Sequence, residues 1–288
     1  MKNANSMQFK KDKEGDMAEM INLTINGKKV QAPRGKTVLE AATDADIYIP
    51  TLCYHPALEP EGTCRLCIVE VSGSLRKGIR VSCIQEVKEG LVVETETEEI
   101  NKHRRLLLEL FLGRSPDSPY LIDLAARYGV KSSRFLTGES NDCVLCGRCV
   151  RVCRDEIGAY ALCFVNRGPD RKVTTDFERL SEYCIGCGSC AQVCPTGAIQ
   201  VQDRGNERKI STWGQVFAKF KLERCDHCGT PFAPAKYLEL INKQAYQPKG
   251  LELVDYICPE CFKNRDRASE KRKASALRSS VVKWSVPR

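Results

Sequence analysis

Polar and apolar positions alternate from Ile21 onward: Ile21, Leu23 and Ile25 are apolar, and Asn22 and Thr24 are polar. That period of two predicts a strand with one buried face. Asn26-Gly27 supplies a tight turn, and Lys28 to Ala32 returns as a second strand. At Thr37 the period changes. Val38, Leu39, Ala41 and Ala42 form one apolar helical face, and Thr37 with Glu40 has the T-x-x-E spacing of a capping box. Short strands are expected at Ile47–Ile49, Cys67–Val71 and Leu91–Thr95. A hairpin, a helix and further strands predict a compact α+β domain of the β-grasp type over residues 20–99.

The helical period returns over Asn101–Gly113, where Gly113 is the expected stop, and again over Tyr120–Tyr128. These segments predict a helical linker over residues 100–138. The longest apolar run, Leu106 to Leu112, is interrupted by Glu109 and falls short of the roughly 18 residues a membrane helix needs. Residues 1–19 are polar and lysine-rich with no apolar stretch, so a flexible N-terminus is expected rather than a secretory signal.

What changes the picture is cysteine, 17 of them in 288 residues. An odd number at C-x-x-C spacing makes a poor disulfide framework, because neighbouring sulfurs in such turns converge on one point and suit a metal. Thiols kept reduced imply the cytoplasm. Cys53, Cys64, Cys67 and Cys83 are spaced C-x10-C-x2-C-x15-C within the first domain. Four thiolates suit a [2Fe–2S] cluster, two per iron, and equally a four-cysteine zinc site; spacing alone leaves both open.

Cys143, Cys146, Cys149 and Cys153, then Cys184, Cys187, Cys190 and Cys194, repeat C-x2-C-x2-C-x3-C. In two-cluster ferredoxins three cysteines of such a run hold one [4Fe–4S] cube, and the fourth reaches the other cube. Cluster A is therefore expected on Cys143, Cys146, Cys149 and Cys194, and cluster B on Cys184, Cys187, Cys190 and Cys153. This predicts a two-cluster ferredoxin domain over residues 139–205, with Gly147, Gly186 and Gly188 allowing tight backbone around sulfur. Cys163 falls in the spacer and is expected to be buried and unligated. Cys225, Cys228, Cys258 and Cys261 form two C-x-x-C knuckles, expected to hold structural Zn2+ in a small zinc-ribbon-like module over residues 215–265. A third [4Fe–4S] cluster is the rival there, and His227 an alternative ligand.

Lys and Arg number 45 against 37 Asp and Glu, a net charge of +8, with much of the excess in a basic tail, residues 266–288. Such a tail is a solvated end or a contact for an acidic partner. No Walker loop, dinucleotide fingerprint or ordered nucleophile triad is present. A metal-dependent regulator that senses redox state and binds nucleic acid is the alternative from another class, and the absence of a recognition helix argues against it.

Ile49-Pro50-Thr51-Leu52-Cys53-Tyr54-His55-Pro56 and Gly62-Thr63-Cys64-Arg65-Leu66-Cys67-Ile68-Val69-Glu70, followed by the two four-cysteine runs, resemble a known iron–sulfur module. It is the N-terminal module of the large iron–sulfur subunit of respiratory complex I. The same module occurs in the diaphorase small subunit of NAD-linked hydrogenases and the iron–sulfur part of multimeric [FeFe] hydrogenases. The resemblance covers residues 20 to 205 and implies that the first four cysteines hold [2Fe–2S]. It also implies a non-catalytic electron-transfer subunit in anaerobic metabolism, passing electrons between a flavin-containing NAD(P)H-oxidising subunit and a further redox subunit. A hydrogenase, a formate dehydrogenase and ferredoxin are candidate partners; a membrane and nucleic acid are not expected. The family usually adds a [4Fe–4S] cluster on one His and three cysteines after the first domain. Here His103 stands alone and no cysteine occurs between Cys83 and Cys143, so that cluster is expected to be absent and His103 to be an ordinary helix residue.

Overall fold

In the computed structural model, which describes residues 19–135, 142–244 and 256–264, β1 (Met20–Ile25) and β2 (Lys28–Pro33) pair antiparallel around Asn26-Gly27. The basic tail and all but the last residue of the N-terminal segment lie outside the described residues. Helix α1 (Val38–Asp44) starts at Thr37, whose side chain accepts from the Glu40 amide while the Glu40 carboxylate accepts from the Thr37 amide. Two donors of the helix start are thereby satisfied, and the Val38 and Leu39 amides bond Gln85 O and Ser82 O. Strands β3 (Ile68–Gly73), β4 (Gly78–Val81) and β5 (Leu91–Glu94) complete a mixed five-stranded sheet in the order β2-β1-β5-β3-β4. Its core joins Ile21, Leu23 and Ile25 to Val38, Leu39, Ala41, Ala42, Val69, Val71, Leu91 and Val93, with Cys67 and Cys83 packed among them.

Two expectations change here. Ile47–Ile49 is not a strand: the Ile47 amide donates to Ala42 O at 2.8 Å, closing α1, and the segment pairs with no strand before Pro50. Strand β4, which sequence reading passed over, pairs with β3 instead.

Helix α2 (Glu98–Arg114) and helix α3 (Pro119–Ala126) occupy the expected linker. Gly113 does not end α2; it is a buried helical residue, and the helix stops one residue later. Ser115-Pro116 accounts for the stop, since the residue before proline disfavours helix. The chain divides into two units, Met1–Gly113 with Leu121–Thr137 and Arg114–Tyr120 with Gly138–Arg288. Nearly all of α2 therefore belongs with the first sheet rather than forming a separate layer.

In the second unit, α4 (Arg148–Arg151) runs into a π-helical turn, Val152–Glu156. A two-stranded hairpin, β6 (Cys163–Val165) and β7 (Lys172–Thr174), precedes α5 (Ser189–Gln192). Strands β8 (Ile199–Arg204), β9 (Glu207–Thr212), β10 (Gln215–Arg224) and β11 (Pro231–Pro234) form one antiparallel sheet in the order β11-β10-β9-β8, and α6 (Ala235–Gln244) follows. This sheet runs across the boundary expected between 139–205 and 215–265, because ten-residue β10 pairs with β9 along most of its length.

Candidate metal centres

Cys53, Cys64, Cys67 and Cys83 are all buried, and they meet as two pairs. The Cys53 amide donates to Cys64 Sγ at 3.4 Å and the Cys64 amide to Cys53 Sγ at 3.5 Å. The Cys64 thiol bonds Cys53 and holds it down at about 5 despite burial, while Cys64, as donor, is pushed well up. Cys67 is drawn down to about 7 by the bond from Cys83, which rises in turn. Each pair thus shares a proton that a metal would displace. Left-handed backbone at Gly62 (φ 63) and Arg65 (φ 59) curls the loop that carries Cys64. Two sulfur pairs in a low-polarity site ringed by amides fit a two-iron cluster with two thiolates per iron.

Beneath that loop lies a residue which sequence reading missed. Arg104 on α2 is fully buried and donates from Nε to Leu66 O (3.2 Å), from Nη2 to Ile68 O (2.8 Å) and from Nη1 to Glu96 (2.8 Å). Its guanidinium lies 5.6 Å from the Tyr128 ring centre. The signal was present: Ile100, Arg104, Leu108 and Leu112 recur every four residues on the buried face, with a cation where the pattern asks for an apolar residue.

Two pockets of the second unit each hold about 340 Å³ of non-protein space, part of it open to solvent. One is lined by Cys143, Cys146, Cys149 and Cys194 with apolar Val144, Val173 and Ile199. The other is lined by Cys153, Cys184, Cys187 and Cys190 with Val152, Leu162, Ile210 and Phe217. The fourth cysteine of each run thus lines the pocket of the other run. Burial pushes Cys143 and Cys184 up to about 11 and raises Cys149, Cys153 and Cys190. Amides oppose that shift: Ala161 N donates to Cys153 Sγ at 3.3 Å, Leu145 N–H bonds Cys143 and Gly186 N–H bonds Cys184. The loops repeat one conformation, with left-handed Leu145 (φ 52) matching Gly186 (φ 74) and Gly147 (φ 77) matching Gly188 (φ 79). Thiols in an apolar, amide-lined hollow fit a cluster that replaces their protons and takes up those N–H groups.

Cys225, Cys228, Cys258 and Cys261 lie closer together, with all four sulfurs within 4.8 Å of one another. Cys228 Sγ and Cys258 Sγ are 3.8 Å apart. Among the described residues no other group of three or more potential ligands gathers this tightly. The Cys258 amide donates to Cys225 Sγ at 3.3 Å and, with other amides, lowers Cys225 to about 6; Cys228 falls through Thr230 and its amide, and Cys261 is pushed up to about 12 by bonding to Cys228.

The remaining candidates stand outside these groups. His103 is exposed, its Nδ1 2.8 Å from Glu99 O. His227 is exposed and absent from the four-sulfur group. Cys163 is half-buried rather than buried, since a two-stranded hairpin leaves one face open, and its thiol donates to Asp176 Oδ1 at 3.2 Å. Burial first and Asp176 second push it up to about 11.

Comparison with known proteins finds an iron–sulfur domain in each unit. Residues 18–98 match a 2Fe-2S iron-sulfur cluster binding domain, and residues 183–231 match a 4Fe-4S dicluster domain. The second match contains Cys184–Cys194 together with Cys225 and Cys228, and leaves the Cys143–Cys153 run outside. A subunit of the NADH-quinone oxidoreductase of Rhizobium meliloti (strain 1021) is 34% identical over 237 residues, covering 73% of this chain and 27% of that protein. The HndD subunit of the NADP-reducing hydrogenase of Solidesulfovibrio fructosivorans is 35% identical over 211 residues, covering 62% of this chain and 36% of that protein. The chain therefore spans only about a third of these relatives' own length. A crystal structure of NAD+-reducing [NiFe]-hydrogenase in the H2-reduced state superposes with a TM-score of 0.54 at 29% identity, covering 68% of this chain and 89% of that one. The regulator alternative finds no support in these matches. No helix among the described residues is long and apolar enough to cross a membrane. The chain combines 2Fe-2S and 4Fe-4S ferredoxin-like domains of mixed helix and sheet, and carries the iron–sulfur module found in NADH-quinone oxidoreductases and in NAD(P)-linked hydrogenases.

Proposed function

We propose that this chain is a cytoplasmic electron-transfer subunit of a multi-subunit oxidoreductase, relaying single electrons between a flavin-containing NAD(P)H-oxidising subunit and a further redox subunit. The observation that carries the proposal is the crossing of the two cysteine runs, each lending its fourth sulfur to the other's pocket. Helix α4, which carries Cys149, packs on α5, which carries Cys190, so the two pockets adjoin. The β-grasp domain over 20–99 holds [2Fe–2S] on Cys53, Cys64, Cys67 and Cys83. Cluster A uses Cys143, Cys146, Cys149 and Cys194; cluster B uses Cys153, Cys184, Cys187 and Cys190. Bound there, these groups supply one-electron redox chemistry. The protein contributes buried sulfurs, amides aimed at them and a low-dielectric surround.

Cys225, Cys228, Cys258 and Cys261 hold structural zinc in this reading. Four thiolates at about 2.3 Å from one ion sit about 3.8 Å apart at tetrahedral angles. The 3.8 Å from Cys228 to Cys258, and the grouping within 4.8 Å, agree with a single ion. A cube carries its thiolates on four separate irons and spreads them wider. The dicluster match that reaches Cys228 favours the rival cluster, and one measurement separates the two. Anaerobically purified protein should contain about ten iron and one zinc, with EPR of the reduced form showing one [2Fe–2S] and two [4Fe–4S] centres. About fourteen iron without zinc would turn the zinc site into a fourth redox centre. Two or fewer iron with several zinc would sink the relay.

A further inference from the structure

Arg208, on β9, joins a cysteine loop of the second unit to a carboxylate and to β11 at once. Its Nε and Nη2 donate to Asp203 Oδ1 and Oδ2 at 2.8 and 2.7 Å, a bidentate pair across the β8–β9 register. Nη1 donates to Gly186 O at 2.9 Å, and Nη2 reaches Phe232 O at 3.2 Å. The side chain is only 13% exposed, and Arg208 and Cys187 line one depression. Gly186 has two polar ends. Its N–H bonds the sulfur of Cys184, and its carbonyl accepts from Arg208. Gly186 also sits in left-handed backbone against Phe220 and Pro234, so the loop is gripped from the side of the four-stranded sheet.

A charged fork with that many donors fixed has little freedom left, and a cation beside a sulfur site lowers the cost of adding an electron there. Amides held on sulfur act in the same direction. We propose that Arg208 is a positioning residue for the loop Cys184–Cys190: it holds Gly186 so that its amide stays on Cys184, and its charge raises the reduction potential of the centre in that pocket. The inference rests on the ligand reading above, in which Cys153, Cys184, Cys187 and Cys190 share one [4Fe–4S] cluster.

The test uses the full-length protein with its clusters in place, reduced stepwise under argon and followed by EPR. A Cys184→Ser variant first identifies the signal from this pocket. Arg208→Gln should then move that signal's reduction equilibrium about tenfold toward the oxidised state, ~59 mV for one electron, leaving the other two centres where they were. Arg208→Lys keeps the charge and loses the fork; it should recover most of the potential but keep a broadened line. Asp203→Asn frees the fork while removing a negative charge, so the line should broaden without any fall in potential. A merely structural ion pair would change stability in all three variants and the potential in none. If Arg208→Gln fails to retain iron, Arg208→Lys and Asp203→Asn decide, and unchanged line shape in both overturns the proposal. A twofold or smaller change in Arg208→Gln with a normal iron count also overturns it. Should Cys184→Ser disturb neither [4Fe–4S] signal, the ligand reading itself has failed, a distinct result that removes the ground for Arg208's role.

Discussion

Arg104 donates from Nη2 to the backbone carbonyl of Ile68 at 2.8 Å, and from Nε to Leu66 O at 3.2 Å, so one buried guanidinium spans Cys67 from either side. Both carbonyls face away from water, and Arg104 itself has no exposed surface. Arg104→Met fills the volume but leaves the two carbonyls unpaired, at about 1–3 kcal/mol for each buried unsatisfied group. Part of that relaxes, because Glu96, the carboxylate partner, is about half exposed and returns to solvent. A loss of about 2–4 kcal/mol is expected in denaturant unfolding, with altered visible circular dichroism from the [2Fe–2S] centre. Arg104→Lys should lie between. Wild-type stability in Arg104→Met would show that the clamp contributes nothing.

Among the described glycines of the second unit, Gly186 is the least able to take a side chain. A Cβ there would stand 2.7 Å from both Phe220 and Pro234, in backbone at φ 74. Gly205 has a similar φ, 60, but open space around it. Alanine at either position incurs the left-handed penalty of about 1 kcal/mol, and only Gly186→Ala adds overpacking, at about 1–3 kcal/mol. Gly186→Ala should therefore melt lower than Gly205→Ala and carry fewer irons per chain. Equal melting temperatures would show that Phe220 and Pro234 move aside freely.

The first domain was legible because each of its signals is local. The Asn26-Gly27 turn, the Thr37–Glu40 box and the period-two strands need no distant partner to be read. The crossing of the runs was legible for another reason: thiolate spacing carries its geometry with it, and a short helix inside each run, Arg148–Arg151 or Ser189–Gln192, separates the fourth cysteine from the first three. Long-range sheet pairing was not. Strand β4 has only four residues and exists because β3 offers an edge, whereas Ile47–Ile49 has a better strand composition and no edge to join. The continuity of β8 with β11 was hidden in the same way: it rests on pairing along the whole sheet, with Gly205 and Gly214 in the hairpin turns that join its strands. Arg104 and Arg208 escaped because a cation reads as surface until its acceptors, dozens of residues away in the case of Leu66 and Ile68, are known.

His103 tests the absence of a further centre in the helical segment. Its ring is exposed and bonded to its own helix through Glu99 O, one turn back. Ser115 and Ser118, in the segment that follows the helix, are fully buried, and neither hydroxyl has a hydrogen-bond partner among the described residues. His103→Ala should keep the full iron count and every EPR signal, with stability within about 0.5 kcal/mol, as for surface changes generally. Loss of four irons would mean that a cluster is held there after all.

Cys163 is the one cysteine of 17 outside the sixteen assigned as ligands. Its thiol is half-buried, donates to Asp176, and is pushed up to about 11, chiefly by burial and then by that carboxylate. Alkylation proceeds through the thiolate. A raised value means that the thiol is almost wholly protonated at pH 8 and ionises only as the pH climbs toward 11. Intact protein under argon should therefore take up one equivalent of iodoacetamide, up to roughly 100-fold slower at pH 8 than an ordinary thiol, and faster with each step of pH. Asp176→Asn removes the smaller of the two causes and should accelerate the reaction several-fold without reaching the ordinary rate. Mass mapping of the alkylated site decides the matter: label on any of the sixteen others, before Cys163 has reacted, would mean that the sulfur in question is not engaged by a metal.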